Sequence, residues 1–321
     1  MLLAVLAAGC GSSAGPPRVH NASLVLDFTP NAVHAGIYAA IAQRYTRAAG
    51  VNLQVIAPGA STDSIKLLES GRVNFAILDI HDLAIARERG APIVGIMAIV
   101  ERPLAAVIAA PQITSPSQLE GKLVGVTGLP SDTGVLDSIV QGAGGNPALP
   151  KTITIGFNAV ADLLAGKVAA ATAFWNDEGV TLQRRRPGFH IFRVDDYGAP
   201  PYPELVLCAT RSSLTHDPGL ARDAVRALVR GYQFTLADPQ HGAADLERIV
   251  PGLDPSLVSA ELTGLLPALR ARDGRVGELD LASLNAWARW EMSFGVVTRR
   301  PDVATMFDQS FVNRAASPVG G

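Results

Sequence analysis

From Ser23 onward, short apolar runs alternate with amphipathic stretches, the pattern of a chain that forms strands and helices in turn. Leu24-Val25-Leu26 predicts a first strand. His34 to Ala49 predicts a helix in which His34, Tyr38, Ile41 and Tyr45 share one face. There follow a strand at Val51 to Ala57, a helix from Thr62 to Glu69 closed by Gly71, a strand at Asn74 to Leu78, a helix through Arg89, and an apolar run from Ile93 to Val100. Parallel strands with such short crossovers make a doubly wound α/β unit.

After Pro103 the pattern restarts. Strands are predicted at Ala105 to Ala109, Leu123 to Thr127, Thr152 to Ile155, Val168 to Phe174 and Phe189 to Val194, with helices from Ser131 and Ala161. Five more strands would overextend the first sheet, so a second lobe is expected over 110–203, with 23–109 and 204–321 forming the first. Leu104 to Ala109 and Leu205 to Ala209 read as two antiparallel connectors that make a hinge. Beyond Ser212 the chain reads as helical. One apolar stripe carries Val225, Leu228, Val229, Tyr232 and Leu236, and another Leu281, Leu284, Trp287 and Trp290; both are expected to pack on the first lobe. No internal repeat is evident.

Composition narrows the function. The chain has 321 residues, of which 48 % are apolar and 17 % charged, and its formal charge is -2. That is ample for two cores and lacks the positive surface of a nucleic-acid binder. Six histidines and two cysteines form no CxxC pair, no HExxH and no other compact ligand spacing, so neither a metal nor a cofactor is expected. The glycine signatures of dinucleotide, P-loop and hydrolase sites are also missing.

At the amino end, the apolar run Met1 to Ala8 leads to Gly9-Cys10 and then to a Gly/Ser/Pro-rich stretch, although no basic residue precedes Arg18. This resembles the lipobox of bacterial lipoproteins. It implies a leader over 1–9, a linker over 10–22, and a lipid on Cys10 that anchors the protein to the outer face of the membrane. Cys208 then has no intramolecular partner and reads as a buried small hydrophobe.

Polar residues collect where strands end and helices begin, the places that line a cleft between α/β lobes. Asp27, Phe28, Asn31 and His34 follow the first strand, Ser61 and Thr62 the second, and Asp79, His81 and Asp82 the third. Ser131 and Asp132 follow a strand of the second lobe, and Trp175, Asn176 and Glu178 another. Taken singly, Ser61, Thr62, Ser131 and Asp132 are ordinary helix caps, and a lone histidine is an ordinary core residue. Five loops with one placement are harder to explain that way. The carboxylates, with no arginine in any of the five loops, favour an uncharged or weakly cationic heterocycle over nitrate or sulfonate, which need cations or converging helix ends.

Asp27-Phe28-Thr29-Pro30-Asn31 with His34 and Gly36 closely resembles the D-W-T-P-N-x-x-H-x-G stretch of solute-binding proteins for thiamine-pyrimidine precursors, a family that includes the yeast hydroxymethylpyrimidine synthases. Glu69 to Ala76, Leu119 to Lys122 and Phe174 to Glu178 are similar to further segments of that family. Together the resemblance spans about 23–240. Phe28 stands where the family has tryptophan, and the second-lobe loop reads Thr127-Gly128-Leu129-Pro130.

The resemblance implies a two-lobed periplasmic-binding-protein-like fold with two crossover hinge strands (type II). It also implies a monomer that delivers a small heterocycle to an ABC permease. In that reading Phe28 or Trp175 stacks on the ring, while Asp27, Asn31, His34, Asp79 and Glu178 bond its nitrogens. Riboflavin, sulfonate, taurine and nitrate are alternative ligands. A self-sacrificing synthase, or an enzyme using the His34, His81 and Asp79 cluster, is the alternative of another class, as is a sensory lipoprotein.

Overall fold

The computed structural model describes residues 19–58, 64–271 and 273–316. The expected leader, Cys10, Ser61 and Thr62 lie outside these residues. The strands are β1 His20–Val25, β2 Val51–Ile56, β3 Phe75–Asp79, β4 Ile93–Val100, β5 Ala105–Ala109, β6 Leu123–Val126, β7 Lys151–Thr154, β8 Ala170–Phe174, β9 His190–Arg193 and β10 Leu205–Thr210. The helices are α1 Ala35–Ala42, α2 Tyr45–Ala48, α3 Ser64–Glu69, α4 Ile80–Glu88, α5 Asp132–Gly142, α6 Ala159–Leu164 and α7 Val180–Arg185. After β10 come α8 Arg211–His216, α9 Pro218–Ala237, α10 Pro239–Ile249, α11 Pro255–Leu265, α12 Leu281–Ser293, α13 Val303–Met306 and α14 Ser310–Ala316.

The strands form two five-stranded sheets, ordered β2-β1-β3-β10-β4 and β7-β6-β8-β5-β9. Matched position by position the two orders are the same, a structural repeat for which the amino-acid sequence carries no signal. In each sheet the fourth strand runs antiparallel to its neighbours: β10 against β3 and β4, β5 against β8 and β9. The reason is topological. The parallel strands of both lobes point their carboxyl ends at the space between them, so a chain leaving β4 there enters the second sheet from the same side and must run against it. The return from β9 to β10 repeats the move.

The two segments expected as antiparallel hinge connectors each continue into a sheet: 105–109 is an inner strand of the second sheet and 205–210 an inner strand of the first. The crossings themselves are the short stretches between β4 and β5 and between β9 and β10.

The predicted helix from His34 to Ala49 is two helices, because Arg44 takes a left-handed conformation (φ 60°) that ends the first. The break turns Tyr45 onto α9, where its ring meets Phe234 edge-on and lies under the Arg230 guanidinium. Helices α1 and α9 approach closely at Gly36: a Cβ there would lie 2.4 Å from the Tyr232 ring. Tyr232 in turn donates to the Val33 carbonyl, fixing the turn that carries His34. The α12 stripe begins at Leu284, since Leu281 is exposed. Trp287 and Trp290 of that helix pack around His81 of the first lobe, and Val296, just beyond its end, presses on Gly134 of α5 in the second. Cys208 is buried and free, as its place in β10 requires.

Candidate ligand-binding site

Between the lobes the strand ends enclose a cavity of about 130 Å³. From the first lobe, Asp27, Phe28 and Asn31 reach it after β1, and Asp79, His81 and Asp82 after β3. From the second come Leu129, Ser131 and Asp132 after β6, Phe157 after β7, and Phe174, Asp177 and Glu178 after β8. Among the described residues lining it there is no lysine or arginine. Among the described residues, side chains of the two lobes meet across it. The rings of Phe28 and Phe157 pack edge to face with centroids 5.0 Å apart, and Asn31 Nδ2 donates to Asp177 Oδ2 over 3.1 Å.

His34 does not line the cavity; it is fully buried behind Asp27. The Asn31 backbone N–H donates to His34 Nδ1 (3.2 Å), so Nε2 carries the proton and donates to Asp27 Oδ1 at 2.9 Å. The histidine expected to bond the ligand instead orients the carboxylate that faces the cavity. Asp132 is likewise committed. Its carboxylate accepts from the Gly128 and Leu129 N–H groups (2.7 and 2.9 Å) and from the Thr127 and Thr172 hydroxyls. Gly128 adopts φ +94° to bring those amides round, a conformation a side chain would resist. Two loop N–H groups just before α5, which could otherwise face an oxyanion, are thus occupied by the protein's own carboxylate. Asp79 caps α4 through the His81 N–H and still faces the cavity.

Trp175 is the principal correction. Residues Trp175–Gly179 form a π-helical turn that carries Asp177 and Glu178 into the cavity and turns Trp175 and Asn176 away from it. The indole Nε1 donates to the Pro103 carbonyl in the first crossing (2.9 Å), and the Arg193 guanidinium lies 4.4 Å from the ring centroid. Trp175 is therefore a junction residue between lobes. The aromatic walls are Phe28, Phe157 and Phe174. Phe157 obeys the rule that singled out Phe28, an aromatic beside polar residues at a strand exit, and could have been found by it. Glu204 had a weaker signal, a single carboxylate at the head of the apolar run that becomes β10.

Carboxylates from both lobes crowd the rim. Burial, with the neighbouring Asp177 charge, raises Glu178 to about 7. Burial also raises Asp177, and Asp27 adds to the effect from the opposite lobe. Glu261 of α11 is pushed to about 8 by burial and by Asp177 and Glu178. Deeper in, burial and the Asp79 charge raise Asp82 to about 7. A site built this way favours a partner that brings hydrogen-bond donors or positive charge.

Two lobes of one strand order, two crossings and a cavity at the carboxyl ends of both sheets define an α/β protein with the two-lobed periplasmic-binding-protein fold. The alkanesulfonate-binding protein SsuA of Xanthomonas axonopodis pv. citri, solved bound to MOPS, superposes with a TM-score of 0.71 at 15 % identity, covering 92 % of this chain and 100 % of that one. The NMT1/THI5-like family profile matches residues 31–242, and the chain belongs to that family. A formylaminopyrimidine-binding protein of Halalkalibacterium halodurans is 29 % identical over 245 residues, 74 % of each chain. The 4-amino-5-hydroxymethyl-2-methylpyrimidine phosphate synthase THI5 of Saccharomyces cerevisiae is 23 % identical over 231 residues, 68 % of this chain and 67 % of that one. Among the described residues no helix is long and apolar enough to cross a membrane.

Proposed function

We propose that this protein is the extracytoplasmic capture component of an ABC importer, held at the membrane through a lipid on Cys10, and that it binds an aminopyrimidine of the thiamine-precursor type between its lobes. One observation carries the ligand class: a cavity walled by aromatic rings and carboxylates from both lobes, with His81 the one basic residue among the described residues that line it. Aromatic faces accept a flat ring, and carboxylates accept from an exocyclic amine. The capture of the Gly128 and Leu129 amides by Asp132 disfavours sulfonate, nitrate and phosphate. Size supports a single ring, since an engineered protein cavity of about 150 Å³ accepts benzene. The formylaminopyrimidine-binding relative points to the same ligand class.

Of the His34, His81 and Asp79 cluster that an enzyme would use, only His81 and Asp79 line the cavity; His34 is enclosed and engaged at both nitrogens, which disfavours the alternatives that need it to meet the substrate. Calorimetry of the protein with 4-amino-5-hydroxymethyl-2-methylpyrimidine, its formylaminomethyl analogue, riboflavin, taurine and nitrate tests the reading. Micromolar or tighter binding of a pyrimidine, with His34 intact by mass spectrometry afterwards, is expected. Preference for taurine or nitrate, or loss of His34, would overturn it.

A further inference from the structure

At the floor of the cavity lies a polar cluster whose geometry suits more than a heterocycle. Asp79 ends β3, His81 is in the first turn of α4, and Glu204 closes the second crossing. Antiparallel pairing sets Leu205 opposite Asp79, so the residue just before β10 arrives beside the exit of β3. One carboxylate oxygen from each of Asp79 and Glu204 and one His81 ring nitrogen lie within 4.8 Å of one another. His81 Nε2 is 3.6 Å from Glu204 Oε1 and 3.2 Å from the Tyr202 hydroxyl.

Two features separate this cluster from an ordinary buried ion pair. Glu204 is fully buried; its Oε2 accepts the backbone N–H groups of Leu104 and Ala105 in the first crossing, while Oε1 has no hydrogen-bond partner among the described residues. An orphaned carboxylate oxygen inside a protein is costly, and a cation is its natural partner. The far side of the His81 ring is held through Nδ1 by the buried Glu291 carboxylate. Metal-binding histidines are commonly oriented in this way, with a carboxylate on the nitrogen that faces away from the ion.

We propose that Asp79, His81 and Glu204 form a binding site for a divalent transition-metal ion of the zinc type at the floor of the cleft. One imidazole and two carboxylates suit an ion that accepts mixed nitrogen and oxygen ligands at low coordination number; magnesium and calcium favour oxygen alone and more of it. The ion takes the place of the His81 Nε2 proton, which leaves to solvent. Tyr202 stands within reach of the same nitrogen. All three ligands line the cavity, so the ion presents a remaining position to whatever the cleft holds. The inference rests on the cluster itself and stands whichever heterocycle binds.

The test uses the chain freed of metal by a chelator and then titrated with Zn²⁺ by calorimetry and with Co²⁺ by visible absorption. One equivalent of each ion is expected, with the intense Co²⁺ bands of a four-coordinate site. Glu204→Gln and His81→Gln should each weaken binding by at least a hundredfold, and Glu291→Gln by roughly 10–100-fold as a residue that positions the ring. Asp79→Asn, at a partly exposed position, serves if the buried variants do not fold by circular dichroism. His241→Gln removes an exposed His–Asp pair and should change nothing. Absence of binding, weak six-coordinate Co²⁺ spectra, affinity that survives Asp79→Asn and His81→Gln, or loss on His241→Gln would each overturn the proposal.

Discussion

Trp175 sits where the two halves of the chain meet, bonded to Pro103 and lying against Arg193, and so its removal opens a hole at the junction. Trp175→Ala is expected to cost about 3–5 kcal/mol of folding stability, read from urea or thermal unfolding of the protein without ligand. An unchanged melting temperature with weakened ligand affinity would return the indole to the binding wall. Phe157 is the counterpart: it is 44 % exposed at the cavity mouth and meets Phe28 edge to face. Phe157→Ala should leave the melting temperature within a degree or two and weaken pyrimidine binding about tenfold, the loss of one aromatic contact of roughly 1 kcal/mol or a little more. Calorimetry and a melting curve on the same sample distinguish the two residues.

At the scale of elements, the proposed ligand selectivity rests on the loop before α5 and on the packing of α11 against the π-helical turn. Asp132 occupies the amides of Gly128 and Leu129. Asp132→Ala should free them and confer measurable binding of inorganic sulfate or phosphate that the parent lacks, at a cost in stability of about 1–3 kcal/mol. Unaltered anion affinity in a folded variant would count against this account of selectivity.

The second element faces Asp177 and Glu178 with Glu261, while Asp27 and Arg184 stand nearby. Raised carboxyl pKa values mean that the folded state holds more protons than the unfolded one between about 4.5 and about 8, so stability falls as pH rises through that window. Glu261→Gln keeps an acceptor for the Ala32 N–H and removes one charge. Its melting temperature should fall less over the same pH range, whereas parallel curves would show that the crowding has no energetic weight.

For the whole molecule, the proposed capture by closure requires the lobes to move as bodies about the crossings, and Asn31 with Asp177 and Phe28 with Phe157 join them across the cleft. Small-angle scattering should show a smaller radius of gyration with ligand than without, and Asn31→Ala should shift the ligand-free profile toward the open form. Identical profiles in every state would mean that the cleft does not work by closure.

Much of this architecture was legible in order along the chain. Apolar runs marked the strands to within a few residues, most plainly β4 and β5, which are buried along their whole length and so need an unbroken apolar segment. The loops after β1, β3, β6 and β8 carried their polar residues in sequence. The helix after β1 was overextended, since its apolar face continues through Arg44 and only the backbone turn there interrupts it.

What the chain determined by itself was local: periodicity, strand exits, and the residue types gathered at each exit. Tertiary structure decided direction and company. It turned Trp175 inward and Phe157 outward, ran β5 and β10 against their neighbours, and put Glu204 beside Asp79 and His81. Side-chain direction and long-range neighbours depend on how sheets pair and lobes cross, and no spacing within one segment encodes a partner supplied by another.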